Sequence, residues 1–153
     1  MADLVPVAIA LGSNVGDRAA HLEHAVARLR GVLDGVRVSS FHETIPVAMR
    51  GPQGLFLNAA LVGSSSGTPR DLLNLLLAIE LERGRARPRA NAARTLDLDL
   101  ILFGAVQIDE PGLVVPHLRF RTRRFVLGPL VEIAPDMVDP LSGLSVAELV
   151  AAL

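Results

Sequence analysis

The chain has 153 residues, half of them apolar, and a formal net charge of −1. This length fits a single domain with a buried core, and the charge balance argues against a nucleic-acid-binding polycation. The absence of cysteine excludes disulfides and thiolate metal sites. All 15 lysine-plus-arginine residues are arginine, which excludes a P-loop lysine and a Schiff-base lysine.

The chain shows no signal for export or for membrane insertion. The N-terminal stretch is apolar but short, and it lacks a basic region. No run reaches the roughly 18 apolar residues that a membrane span requires. We therefore expect one soluble domain over residues 1–153, in the cytoplasm, with no membrane partner.

The first half of the chain predicts strands alternating with a helix. An apolar strand ends at GSNVGD, which reads as a tight turn rather than as a phosphate-binding glycine loop. Leucine and valine at helical spacing follow, and then alternating residues of a second strand. Residues 45–55 are rich in glycine and proline and predict a loop. The predicted elements are strands over 5–11, 36–44 and 56–63 and a helix over 17–33.

The second half begins with a helix signal: Thr68 can cap the N-terminus, Pro69 suits the first position and Asp71 lies in the first turn. The predicted elements are helices over 69–83, 124–133 and 146–153, a strand over 94–104 and a short partner strand over 106–108. The order βαββαβ predicts an α+β fold with a ferredoxin-like core. We expect a mostly antiparallel sheet with helices packed on it, in a three-layer α/β/α sandwich.

Asp97 and Asp99 stand two residues apart in the strand sequence RTLDLDLILFG. Residues two apart in a strand share a face, so both carboxylates point away from Leu98. Such a pair can hold Mg²⁺, which prefers oxygen ligands from carboxylates and substrate phosphates. The alternative is an ordinary solvated face, and the spacing alone does not decide between the two.

Two arginine-rich segments flank the aspartates, GRARPRANAAR before them and PHLRFRTRRF after them. Guanidinium groups facing paired carboxylates suit a polyphosphate held between metal ions and arginines. Self-neutralising surface charge is the alternative. His117 lies near the start of the second segment. It either contacts phosphate or is a structural histidine whose hydrogen bonds are made within the protein.

All five aromatic residues are phenylalanine, and Phe56 and Phe125 border the predicted loops. Their rings could stack on a flat heterocycle, or they could simply belong to the core. Asn58 lies on the same strand face as Phe56, and its amide can donate to and accept from a ring edge.

Several of these segments together resemble the 6-hydroxymethyl-7,8-dihydropterin pyrophosphokinase family of folate biosynthesis. They are ALGSNVGDR, FLNAAL, IELERGR with RTLDLDLILFG, and VPHLRFRTRRFVLGPLVEIAPD, and they cover nearly the whole chain. The resemblance implies transfer of the β,γ-pyrophosphoryl group of ATP to the pterin hydroxymethyl oxygen, with AMP as the second product. It also implies two Mg²⁺ ions, small-molecule substrates and no nucleic acid, and we expect a monomer.

The resemblance also implies roles for individual residues. Asp97 and Asp99 would hold both Mg²⁺ ions. Arg85 and Arg94 would clamp the phosphates, and His117 and Arg123 would contact the ATP triphosphate. The residues implied to bind the pterin are Thr44, Val47, Phe56, Asn58 and Phe125. The chain departs from the family pattern at residues 91–93, where Asn-Ala-Ala replaces an aromatic residue followed by Gly-Pro.

Three other functions compete with this interpretation. A metal-dependent phosphohydrolase would use the same aspartates to activate water. An RNA-binding module would use the arginine segments, but the absence of tyrosine and tryptophan argues against base stacking on the sheet. A family member with an altered arginine loop could bind ATP and turn over slowly.

Overall fold

The computed structural model describes residues 3–45, 55–84 and 95–153. Helices and strands follow the predicted order, with one strand split in two and one hairpin added. The elements are β1 (Val5–Ser13), α1 (Arg18–Arg30), β2 (Asp34–Val38), β3 (His42–Thr44), β4 (Phe56–Ser65), α2 (Pro69–Glu82), β5 (Asp97–Phe103), β6 (Ile108–Glu110), β7 (Leu113–Val115), a 3₁₀ turn (Phe120–Thr122), α3 (Arg124–Ile133) and α4 (Val146–Ala151).

The main sheet has the strand order β2-β4-β1-β5, and β3 also pairs with β4. Every pairing in the described chain is antiparallel. The sheet therefore confirms the predicted α+β fold, with β1 as a central strand and β5 at an edge. Strands β6 and β7 form a separate hairpin, so the prediction that residues 106–108 pair with the strand over 94–104 was wrong.

Two apolar clusters cover the two faces of the sheet and produce the predicted three-layer sandwich. On one face, Ile9, Leu61 and Leu98 pack with apolar residues of α1 and α2. On the other face, Ala8 and Ala60 pack with α3 and α4. Alternate residues of β1 and β4 thus belong to opposite clusters, as the period of a strand requires.

Local capping explains why α2 begins where the sequence predicts. The Thr68 side chain accepts a hydrogen bond from the Asp71 backbone N–H, and the Asp71 carboxylate accepts one from the Thr68 backbone N–H. Pro69 occupies the first helical turn, where its missing N–H costs nothing. This reciprocal capping box confirms the helix start predicted from the sequence.

The predicted strand over residues 36–44 is interrupted between β2 and β3. Ser39, buried at the interruption, exchanges two hydrogen bonds with Ala60 of β4: its backbone N–H donates to the Ala60 carbonyl, and its side-chain oxygen accepts from the Ala60 N–H at 2.8 Å. A side-chain acceptor replaces a ladder carbonyl here, so the pairing with β4 is irregular between β2 and β3.

A buried ion pair fastens the 3₁₀ turn to the C-terminal segment. The Asp139 side chain is fully buried and accepts hydrogen bonds from Arg121 Nε at 2.5 Å and from Arg121 Nη2 at 2.9 Å. It also accepts from the Ser142 hydroxyl and from the Leu141 N–H. Burial would raise the pKa of Asp139, but the hydrogen bonds from Arg121, Ser142 and Leu141 lower it to about 2.

This shift predicts an acid-sensitive contribution to stability. A carboxyl whose folded pKa is depressed to about 2 stabilises the fold by about 2 kcal/mol at neutral pH. That contribution is present above about pH 4, the ordinary aspartate range, and is lost as the pH falls toward 2. Asp139→Asn should therefore lower the free energy of unfolding, measured in urea at pH 7, by at least about 2 kcal/mol.

Asp136 is exposed, so Asp136→Asn is the matched control and should change the free energy of unfolding little. The Asp139→Asn variant should also lose less stability than the parent protein between pH 5 and pH 3. An equal loss in both proteins over that range would contradict the assignment.

Candidate active site

The register of the sheet gathers the predicted site residues on one face. Gly12 of β1 lies opposite Asn58 of β4 on one side and opposite Asp97 of β5 on the other. Residues directly opposite in antiparallel strands project to the same face. Asn58 and Asp97 therefore project from the sheet in the same direction, on the face that carries α3.

The remaining register extends this polar row. Asp99 lies opposite Ala10, one step along β1 from Gly12 on the same face. Thr44 of β3 lies opposite Phe56, which precedes Asn58 by two residues. The structure thus brings together Thr44, Phe56, Asn58, Asp97 and Asp99 on one face at one end of the sheet.

The two aspartates are half-buried, and Leu98 between them is buried on the opposite face. Helix α2 holds this part of the edge strand. The buried Glu80 accepts a hydrogen bond from the Leu98 backbone N–H at 2.7 Å. Because Leu98 separates the aspartates, this bond fixes the backbone that carries both carboxylates.

A bulge in β5 connects the aspartates to the second arginine-rich segment. Leu100 pairs with Ile9 and Leu102 with Ala8, so Ile101 has no counterpart in β1. The Ile101 carbonyl accepts a hydrogen bond from the His117 backbone N–H at 2.9 Å. The bulge therefore lies where the segment beginning at His117 is hydrogen-bonded to β5.

The donor set at Asp97 and Asp99 suits a hard divalent cation. Over the described ranges 3–45, 55–84 and 95–153, no group of three or more histidine, cysteine or acidic residues could hold a metal ion. Two carboxylates on one strand face nevertheless fit Mg²⁺, which is usually held by one or two carboxylates together with substrate phosphates and water.

The hydrogen bond at Nδ1 of His117 determines which ring nitrogen carries the proton when the imidazole is neutral. Its Nδ1 accepts from the Arg119 backbone N–H at 3.1 Å, so the neutral ring carries its proton on Nε2. Burial lowers the pKa of His117, and so do the charges of Arg123, Arg119 and Arg121, while Asp97 opposes them.

Arg123 lies beside the aromatic residue at the start of α3. Its guanidinium carbon is 5.4 Å from the centroid of the Phe125 ring, a cation–π distance. Helix α3 begins at Arg124, so its positive dipole end lies at the same place. Cations and the helix terminus together favour an anion here.

Asn58 is buried, and the Thr44 hydroxyl donates a hydrogen bond to its side-chain oxygen. That bond orients the amide, because it identifies the oxygen end and leaves the two N–H donors of Nδ2 for another partner. Phe56 is half-buried on the same face. An oriented amide beside an aromatic ring can recognise the edge of a flat heterocycle.

Some of the predicted site residues fall elsewhere. Val47, Arg85 and Arg94 lie outside the described residues. Arg121, one of the arginines considered for phosphate binding, is committed to Asp139. Arg83, at the end of α2, donates to His21 Nδ1 at 2.9 Å.

Sequence reasoning missed Glu80 and misassigned Gly12. Gly12 was expected in a turn, but it lies within β1. Glu80 sits among apolar residues of α2, and a charged residue on a buried helix face is a signal that could have been noticed.

Within the described chain, no helix combines the length and apolar character needed to cross a membrane. The family profile described as 7,8-dihydro-6-hydroxymethylpterin-pyrophosphokinase matches residues 8–135. A 2-amino-4-hydroxy-6-hydroxymethyldihydropteridine pyrophosphokinase of Bacillus subtilis is 46% identical over 131 residues, 84% of this chain and 78% of that protein. The protein of the same name from Synechocystis sp. is 40% identical over 144 residues, 93% of this chain and 73% of that protein.

Solved structures extend the likeness to the fold. The HPPK-DHPS protein of Plasmodium falciparum superposes on 98% of this chain with a TM-score of 0.77, at 12% sequence identity. This chain covers 45% of that longer protein. At such low identity the superposition supports the fold alone.

The Glu80–Leu98 bond gives a prediction that can be measured without any ligand. Glu80→Ala should speed hydrogen exchange at the Leu98 amide and lower the free energy of unfolding by about 1–3 kcal/mol, because it removes the acceptor of a buried N–H. Glu80→Gln keeps an acceptor oxygen and should lose less. The exposed Glu23→Ala is the control; unchanged Leu98 exchange in Glu80→Ala would refute the role given to Glu80.

Proposed function

The chain belongs to the family of 7,8-dihydro-6-hydroxymethylpterin pyrophosphokinases, and we propose that the polar face around Gly12 is where its two substrates meet. The chain is an ATP-dependent pyrophosphokinase of folate biosynthesis that forms the pterin diphosphate and AMP. One observation carries the site assignment: Gly12 lies opposite both Asn58 and Asp97.

We propose that Asp97 and Asp99 hold two Mg²⁺ ions together with the triphosphate. In support, both carboxylates lie half-buried on the face shared with Asn58. When bound, Mg²⁺ supplies positive charge that neutralises the phosphate oxygens. The chain's own contribution is to hold the two carboxylates on a strand that Glu80 fixes from the α2 side.

We assign His117 and Arg123 to the triphosphate of ATP. Neutral His117 offers its Nε2–H to a phosphate oxygen, and Arg123 offers a planar guanidinium that can donate two parallel hydrogen bonds. Arg85 and Arg94, which lie outside the described residues, are proposed to clamp the phosphates from the other side. These groups orient the β-phosphorus toward the acceptor.

We assign the pterin to the space between Phe56 and Phe125. Both rings belong to the α3 side of the sheet, Phe56 by strand register and Phe125 by packing against the cluster on that face. Asn58, oriented by Thr44, reads the ring edge. Val47 is proposed as a further contact and lies outside the described residues.

The hydroxymethyl oxygen attacks the β-phosphorus and forms the new O–P bond. The bond from the β-phosphorus to the α–β bridging oxygen breaks, that oxygen leaves on AMP, and the hydroxyl proton is released. Phosphoryl transfer depends chiefly on positioning and charge neutralisation, so these residues do not need a strong general base.

We further propose that residues 1–153 form one catalytic domain that works as a monomer in the cytoplasm. In support, strands from both halves of the chain share one sheet, and the site draws on β1, β3, β4 and β5. A chain without cysteine suits a reducing compartment. Sedimentation of the purified protein at several concentrations tests the monomer.

The activity is tested by the identity of its nucleotide product. The protein is incubated with ATP, Mg²⁺ and 6-hydroxymethyl-7,8-dihydropterin, and the nucleotides are separated. AMP that forms only with the pterin present is the expected result. ADP, or phosphate released without pterin, would contradict pyrophosphoryl transfer and favour a phosphohydrolase.

The metal assignment predicts a large and specific loss. Asp97→Asn or Asp99→Asn should lower kcat/KM by about 10³-fold or more, because each variant removes a negative ligand for the charge-neutralising ions. Thermal unfolding without ligand should change little, since both carboxylates are partly exposed. Asp34→Asn, which changes an exposed carboxyl at the start of β2, is the control; a near-normal rate in either site variant would refute the assignment.

The Thr44–Asn58 hydrogen bond predicts a separate effect on the acceptor. Thr44→Val should raise the KM for the pterin by roughly 3–10-fold, the loss of about one hydrogen bond that orients the amide. The KM for ATP should stay the same, because two strands, β4 and β1, separate Thr44 on β3 from the carboxylates of β5. Equal increases in both KM values would show that Thr44 supports the fold rather than pterin recognition.

A further inference from the structure

Gly12 is an unusual residue for its position. Glycine weakens the interior of a strand by roughly 0.5–1 kcal/mol relative to alanine, and β1 is paired on both sides at Gly12. Six glycines of the described chain have a positive φ, and Gly12 is not among them. The backbone angle therefore does not require glycine, and the reason must lie in the space above it.

That space is bounded by the residues assigned to the acceptor. A Cβ atom on Gly12 would lie 3.2 Å from Asn58 Nδ2 and 3.8 Å from Phe56 Cδ1. The first distance is tighter than an ordinary contact, so the amide would have to move. The Asn58 oxygen is held by Thr44, and the displacement would therefore fall on the N–H donors of Nδ2.

We propose that Gly12 is a positioning residue for the pterin acceptor: without a side chain there, the Asn58 amide keeps its N–H donors aimed at the ring edge. This inference rests on the proposed function. A methyl group at residue 12 would displace the donors, and the pterin would lose hydrogen bonds at its ring edge. Sites for ATP on β5 and at His117 would keep their geometry.

The test compares Gly12→Ala with Gly31→Ala. Gly31 ends α1 with helical backbone angles, and a Cβ there would meet its nearest atom at an ordinary 3.4 Å. Gly12→Ala should raise the KM for 6-hydroxymethyl-7,8-dihydropterin by about tenfold or more, with the KM for ATP and the Tm near those of the parent. Gly31→Ala should leave both KM values unchanged.

A double variant shows whether the rise in pterin KM acts through the Asn58 amide. It also removes the tight contact between the new methyl group and Asn58 Nδ2, so it can be measured should Gly12→Ala fold poorly. If the methyl acts through Asn58, Gly12→Ala/Asn58→Ala should bind the pterin within about twofold of Asn58→Ala alone, because coupled residues are not additive. A further tenfold loss in the double variant would overturn the proposal. So would unchanged pterin KM in folded Gly12→Ala, or a parallel rise in both KM values.

The parent protein separates this inference from the proposed function. Pterin-dependent AMP formation by the parent, together with a Gly12→Ala variant that keeps its pterin KM, defeats the role of Gly12 alone. A parent protein that forms no AMP with the pterin defeats the proposed function and this inference with it.

Discussion

The candidate site depends on the register between β1 and its two neighbours. Asn58 and Asp97 lie on different strands, and only their common alignment with Gly12 brings them to one face. A slip by one residue would turn Asp97 and Asp99 into the cluster under α1 and α2 and expose Leu98 instead. Both faces of the sheet are covered by helices, so such a slip would cost apolar burial on both sides.

The bulge in β5 reconciles a polar site with an apolar core on the same face. Asp97 and Asp99 face the α3 side. Farther along the strand, the extra residue Ile101 and the next residue, Leu102, both belong to the cluster beneath α3 and α4. One strand thus supplies carboxylates at one end and packing at the other. The Ile101 carbonyl accepts a hydrogen bond from the His117 backbone N–H, so the bulge also positions a proposed phosphate contact.

Much of the fold could be predicted because its signals are local. The capping residues of α2 and the helix over 124–133 follow from neighbours in sequence. The break between β2 and β3 could not be predicted, since it depends on Ser39 bonding to Ala60, 21 residues away. The prediction that Asp97 and Asp99 share one face of the strand followed from the strand period alone, whereas the placement of Gly12 within β1 required the tertiary register.

The roles of the arginines also could not be predicted from the sequence, because they depend on tertiary contacts. The second arginine-rich segment presents several similar cations, yet buried Asp139, 18 residues from Arg121, commits that arginine to the fold. Arg123, two residues later, lies beside Phe125 instead. A bidentate bond to a buried carboxylate anchors the 3₁₀ turn that lies between His117 and Arg123, the two proposed phosphate contacts. Arg121 therefore has a structural role, although its residue type alone suggested phosphate binding.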